Sequence, residues 1–221
     1  MRHLDRGAAR CAVGALLLTL VAVTPASAQL CIGNPTFRDG PYQVGVGASF
    51  MEGLRTVDGT FAAGGESFFG GAGVSMLNFT ELDGVTAGVN AFAGMELATD
   101  RQNRVLLCPL VRLAFIAGPD VGPIDVSSAT LQGGGSVGVI ASQSRELTVV
   151  PFFGLAVLYE HVSTDFGGVE ASDSDTGGIA DLGVGLILNR NVGITPLVSI
   201  PFGVGTSDAI FTIRFTFNFG R

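Results

Sequence analysis

The chain has 221 residues and a net charge of −7, and only 14% of its residues are charged against 47% that are hydrophobic. A water-soluble domain carries about 25% charged residues, so this composition is unusual for one, and the negative balance argues against nucleic acid as a partner. The length suits a single domain.

The first residues have the form of a secretory signal peptide. Three arginines among the first ten residues precede an apolar run over 12–23, and Ala26-Ser27-Ala28 is an A-x-A cleavage signature. The run is shorter than the roughly 20 residues that a membrane-spanning helix needs. We therefore predict a signal peptide over 1–28, a periplasmic segment over 29–40 and the folded domain over 41–221.

Several segments alternate apolar residues with glycine or polar residues at a period of two. They cover 55–63, 85–97, 105–115, 147–159, 180–188 and 211–219. Segments of about ten residues with one apolar face are typical of transmembrane β-barrels. A soluble β-sandwich also alternates, but it would carry many more charged residues on its outward faces. The pattern predicts an all-β fold, an antiparallel transmembrane barrel.

The connections between these segments predict the strand number. Short turns are expected at 64–66, 100–104, 143–146 and 189–191, and longer loops at 51–55, 79–83, 118–128, 163–176 and 203–208. Nine strands are evident, and the segment 55–63 supplies a tenth. An even number places both chain ends on one side of the membrane, as in bacterial barrels. We predict about ten strands, with eight as the alternative, and both termini in the periplasm.

The C-terminal sequence FTIRFTFNFGR places Phe211, Ile213, Phe215, Phe217 and Phe219 on one face of a strand. Over residues 41–219 the chain resembles small Gram-negative outer-membrane β-barrels of the OmpA type and the opacity type. The resemblance implies that these five residues are the signal read by the barrel assembly machinery, and that outer-membrane lipids surround the barrel. Tryptophan is absent and tyrosine occurs twice, so an aromatic girdle would consist mostly of phenylalanine.

Five charged residues fall on the faces that the barrel would turn inward. They are Glu96, Arg112, Glu160, Asp181 and Arg214. Pairing of the two arginines with the acids would close the lumen with a buried ionic network. We expect no cofactor.

One alternative function is enzymatic. His161 and Ser163 resemble the H-x-S element of outer-membrane lipid A deacylases, with Asp173 or Asp175 as the acid of a triad. Thr164 replaces the asparagine of that family and its upstream arginine is missing, so a histidine at the barrel rim is the preferred interpretation.

A metal site is not expected in the acidic stretch over 165–175. Asp173-Ser174-Asp175 resembles the opening of a calcium loop, but the third acid and the closing glutamate are absent. A solvated outer loop is the preferred interpretation.

The mature chain would keep two cysteines, Cys31 and Cys108, because Cys11 lies in the signal peptide. The periplasm is oxidising, and an even pair of cysteines there predicts a disulfide bond. This bond would tuck residues 31–40 under or into the periplasmic mouth of the barrel. Two free thiols are the alternative.

Taken together, the sequence predicts a structural or passive outer-membrane barrel, or a narrow pore. The alternatives are a lipid A deacylase using His161 and Ser163, and a surface adhesion or recognition protein acting through its outer loops. The sequence does not indicate a ligand or an oligomeric state.

Overall fold

The computed structural model describes residues 32–37, 40–65, 67–79, 84–98, 104–118, 124–166, 169–203 and 208–220. The signal peptide prediction and Cys31 lie outside these residues. No helix in the described part of the chain is long and apolar enough to cross a membrane.

Ten long strands, named β1 to β10 in chain order, form the domain. They are β1 Tyr42–Met51, β2 Leu54–Gly64, β3 Phe68–Phe79, β4 Gly84–Met95, β5 Val105–Ala117, β6 Ile124–Val139, β7 Leu147–Phe166, β8 Val169–Leu188, β9 Val192–Phe202 and β10 Ile210–Phe219. Two short strands, Leu97–Ala98 and Ser142–Gln143, pair with β5 and β7 and continue the edges of β4 and β6.

The strands close into a barrel. Each one pairs antiparallel with the next along the chain, and β10 pairs with β1 from Tyr42 opposite Phe219 to Phe50 opposite Phe211. The prediction of an all-β barrel with ten strands is confirmed, and the eight-stranded alternative is excluded. We call the end where β1 begins and β10 finishes the terminal end, and the opposite end the loop end.

The alternation seen in the sequence separates the two faces of the barrel wall. On β10, Thr212, Thr216 and Asn218 are buried, whereas Phe215 and Phe217 are exposed on the exterior. The exterior carries aromatic rings near both ends, mostly phenylalanine with the two tyrosines Tyr42 and Tyr159. Near the terminal end these are Tyr42, Phe61, Phe68 and Phe219, and near the loop end Phe50, Phe115, Phe202 and Phe211. Between them the exterior is mostly aliphatic, with Phe153 and Phe215 among the valines and leucines.

Pro109, Pro151 and Pro196 lie within strands, and one of the three, Pro151, lies beside a bulge. Between the pairs Gly138–Phe152 and Ser142–Val149, β6 has one residue more than β7, which makes a bulge beside Pro151. At Pro109 and Pro196 the strands continue without a change of register.

The predicted loop over 163–176 is wrong. β7 and β8 are 20 residues long each, and Val169 pairs with Phe166, so only residues 167–168 connect them. The predicted loop over 51–55 is also short, because Met51 pairs with Leu54. Short and long connections therefore do not alternate along the chain as predicted.

Candidate functional site

The lumen contains a polar cavity of about 360 Å³. Arg112, Asp181 and Arg214, three of the five predicted lumen charges, line it. Asp58, which the sequence analysis did not single out, is the fourth charged residue in its wall. Two cations and two anions thus line the same cavity in the barrel.

Arg214 and Asp58 form an ion pair in this cavity. Arg214 Nη2 lies 3.7 Å from Asp58 Oδ2, and both side chains are mostly shielded from solvent. Gly47 of β1 stands between them, because it pairs with Arg214 on one side and with Asp58 on the other. A Cβ atom at position 47 would collide with Oδ1 of Asp58. Glycine at this position therefore leaves the space in which the ion pair forms.

The other two charges of the cavity are held differently. Ser199 Oγ donates a hydrogen bond to Asp181 Oδ1 at 2.5 Å. Arg112 has no ion pair within 4 Å in the described part of the chain, although Asp58 and Asp181 attract it and Arg214 repels it. The guanidinium of Arg112 therefore lies near two carboxylates and a second guanidinium without a direct ion pair to either carboxylate.

Glu96 and Glu160, the remaining predicted lumen charges, do not line the cavity. Glu96 is 1% exposed and follows β4 near the terminal end. Glu160 lies in β7 opposite Asp175 of β8, beyond the point where β9 ends. Of the expected network of two arginines with Glu96, Glu160 and Asp181, the described residues show no ion pair; the carboxylate beside Arg214 is that of Asp58.

Residues 32–37 fill the terminal end of the lumen. Thr195 Oγ1 donates to the carbonyl oxygen of Gly33 at 3.0 Å, and Asn218 Nδ2 donates to that of Thr36 at 2.7 Å. Asn218 Oδ1 in turn accepts a hydrogen bond from Gln43 Nε2 at 2.8 Å. Side chains of the barrel wall therefore hold the backbone of this segment, which we call the plug.

Apolar contacts and closely approaching glycines also position the plug inside the lumen. Phe37 is buried with Ala62 and Phe69, and its ring centroid lies 6.3 Å from that of Phe69. Gly185 of β8 approaches the backbone of Gly33 so closely that a Cβ atom would overlap it. The glycines on the inward faces thus make room for a crowded lumen.

Cys108 lies in the same region. It is fully buried and disulfide-bonded. Cys31, the partner predicted from the sequence, lies outside the described residues, and its chain neighbour Ile32 packs against the cluster that contains Cys108. The pairing of Cys31 with Cys108 stays a prediction.

The candidate triad is not assembled. His161 Nδ1 is hydrogen-bonded to Ser174 Oγ at 2.8 Å, and in the described residues no hydrogen bond joins it to Ser163. In the ladder of β7 and β8, His161 stands opposite Ser174, so Asp175 points to the other face of the sheet. The two candidate acids, Asp173 and Asp175, therefore lie on the face opposite to His161 and Ser163.

The wall residues that the sequence analysis missed share one signal. Asp58, Gln43 and Thr195 all stand at inward positions of alternating strands, and Asp58 has the same phase as Thr56 and Thr60. A polar residue in that phase predicts a lumen position. Its hydrogen-bond partner depends on strand register, which the sequence pattern does not give.

The proteins with which this chain compares are barrels. No protein-family model and no curated protein matches the sequence. Among solved structures, the N-terminal β-barrel domain of Pseudomonas aeruginosa OprF is 9% identical (80% of this chain, 96% of that chain, TM-score 0.38). Ail, the attachment invasion locus protein of Yersinia pestis, is 9% identical (80% and 95%, TM-score 0.33). The translocator domain of autotransporter NalP from Neisseria meningitidis is 16% identical (97% and 98%, TM-score 0.40). At these values, the closed strand order of the chain itself is the evidence for its fold.

Proposed function

We propose that the chain is an integral outer-membrane β-barrel. The observation that carries this proposal is the exterior of the barrel, where large apolar side chains remain exposed on every strand. Val57, Val74, Val89, Leu155 and Leu182 are between 50% and 66% exposed at mid-strand positions. Soluble monomers rarely expose a continuous apolar surface of this extent, whereas a closed barrel in lipid requires one.

Within the membrane, we propose a structural, passive role in which the lumen does not conduct. The plug supports a non-conducting lumen, because Gly33, Asn34 and Pro35 are buried inside the terminal end of the barrel. Ile32 and Asn34 form part of the cavity wall, so the polar cavity ends on the plug. The Arg214–Asp58 pair narrows the lumen further. The unassembled triad gives no support to the enzymatic alternative.

Two measurements test the proposal. Fractionation of a Gram-negative host should place the mature chain in the outer membrane, with heat-modifiable migration on gels. Recovery as a soluble periplasmic protein would contradict the membrane barrel. Purified barrel added to planar lipid bilayers should give no stable conductance steps, and regular steps would show instead that the lumen is a pore.

A further inference from the structure

The strands of the barrel differ strongly in length at the loop end. β8 pairs with β7 along its whole length, from Val169 opposite Phe166. On its other side β8 pairs with β9 only as far as Gly178, opposite Phe202. In the described part of the chain, no strand pairs with residues 169–177 on that side. At about 3.3 Å per residue, this part of β8 extends roughly 30 Å beyond its neighbour.

The direction of the backbone groups on this stretch follows from the ladder. Asn189 N–H donates to the carbonyl oxygen of Glu146 at 2.9 Å, in register with the pairs of β7 and β8. Hydrogen-bonded residues alternate with residues whose backbone groups point to the opposite side of the strand. Odd-numbered residues of β8 therefore bond to β7, and Glu170, Ser172 and Ser174 direct their N–H and C=O groups away from it.

The side chains of two aspartates accept hydrogen bonds from outward-pointing N–H groups of this stretch. Ser174 N–H donates to Oδ1 of Asp173 at 2.8 Å, and Thr176 N–H donates to Oδ1 of Asp175 at 2.7 Å. In a continuous sheet each of these N–H groups would bond to a carbonyl oxygen of the next strand. Gly203 approaches Gly177 and Thr176, so the accessible part of the edge is residues 169–175, which we call the open edge.

The charge around the open edge is uniformly negative. Glu170 stands directly opposite Asp165, and Asp175 directly opposite Glu160. Like charges at directly opposite positions destabilise a strand pair. No lysine or arginine occurs between residues 147 and 188. The exposed carboxylates of Asp173 and Asp175 on this hairpin are therefore groups that basic side chains from another molecule would stabilise.

We propose that the open edge of β8 binds an extended, basic polypeptide segment as an additional strand. The carbonyl groups of this segment would accept the N–H groups of Glu170, Ser172 and Ser174, which is the pattern of β-strand addition. Its lysine or arginine side chains would take over the carboxylates of Asp173 and Asp175 when the partner displaces them from the backbone. Backbone pairing gives the register of the complex, and charge gives its preference for basic partners.

Ser172 provides a substitution that separates edge pairing from simple charge attraction. Ser172→Pro removes an N–H group from the open edge and leaves the ladder with β7 intact, the position at which an edge strand tolerates proline. Ser172→Ala keeps this N–H group and is the matched control. Heat-modifiable migration of both variants verifies that the barrel is folded.

The probe is a short synthetic peptide in which lysine and threonine alternate, and its binding to detergent-folded barrel is followed by fluorescence anisotropy. The wild-type protein and the Ser172→Ala variant should bind the peptide with equal affinity. Ser172→Pro should bind it roughly tenfold more weakly, the effect of about one lost hydrogen bond with its steric clash. N-methylation of alternate amides in the peptide should weaken binding similarly, and replacing lysine by glutamate should abolish it.

Equal affinity of Ser172→Pro and the original chain would overturn the proposal, because the edge backbone would then not take part. Equal affinity of the N-methylated peptide would also overturn the proposal, because charge attraction alone would then explain the binding. Absence of binding to the original chain up to about 1 mM, a free energy near −4 kcal/mol, would also overturn it. Since the measurement uses detergent-folded protein, its outcome does not depend on the cellular location proposed above.

Discussion

Arg214 of the last strand and Asp58 of the second strand meet across Gly47 of the first, with 3.7 Å between Arg214 Nη2 and Asp58 Oδ2. The last strand, β10, and the first two strands, β1 and β2, thus contribute one row of the lumen wall. The row includes the junction of β10 with β1, which closes the barrel. The ion pair therefore joins both sides of the closure.

The first prediction concerns this ion pair. In a double-mutant cycle of Asp58→Asn and Arg214→Gln, we expect a coupling free energy of about 0.5–3 kcal/mol, because the two side chains are in contact and largely shielded. Urea unfolding of the barrel in detergent measures it. Asn90→Ala, in the same cavity but uncharged, is the control and should not couple to either residue. Additive single effects would show that the pair does not stabilise the closure.

The second prediction concerns the two faces of the wall. Arginine at Val89 should cost about 2–4 kcal/mol in phospholipid vesicles, because this side chain is 55% exposed on the apolar exterior. Arginine at the next residue, Asn90, enters the lumen cavity and should act through packing and charge there. Leu155 and Ala156 form a second pair of the same kind. Equal costs at both members of a pair would contradict the assigned faces.

The third prediction concerns the plug. Gly185→Val places a side chain where the backbone of Gly33 lies, so we expect the plug to leave its seat and conductance steps to appear in planar bilayers. Gly133→Val is the control, since a Cβ atom at position 133 meets no other atom within 4 Å. A folded Gly185→Val barrel that stays silent would show that the plug is not what closes the lumen.

The fourth prediction concerns the disulfide bond. The mature chain should be two hydrogens lighter than its sequence mass, and alkylation should label neither Cys31 nor Cys108 before reduction. The closed loop is long, so the bond should contribute about 2–4 kcal/mol by the chain-entropy estimate. Mass spectrometry under non-reducing conditions decides it. Two labelled thiols in the native protein would contradict the pairing.

The fifth prediction concerns His161. His161→Ala should leave the acylation of lipid A unchanged, because His161 bonds to Ser174 and no carboxylate orients it. Mass spectrometry of lipid A from cells that express each form measures this. Ser163→Ala removes the other candidate catalytic side chain and should likewise leave the acylation of lipid A unchanged. Loss of deacylation in either variant would restore the enzymatic alternative.

The sequence by itself determined the barrel class and the facing of its strands. Alternation at a period of two is a local property, since successive side chains of any strand point to opposite sides. The segments that include Val89, Leu155 and Phe215 therefore showed their lipid-facing positions before any pairing was known. An even strand count followed from adding the weak segment that became β2, which also holds Asp58.

Only the tertiary structure decided which residues meet. The Arg214–Asp58 pair, the plug held by Thr195 and Asn218, and the open edge of β8 all depend on register and strand length. These are set by pairing between distant segments and are not encoded in local alternation. The acidic stretch over 165–175 shows why. Its polar, glycine-containing composition predicted a loop, but residues 169–175 pair with the end of β7, because backbone hydrogen bonding along a long hairpin does not require apolar side chains.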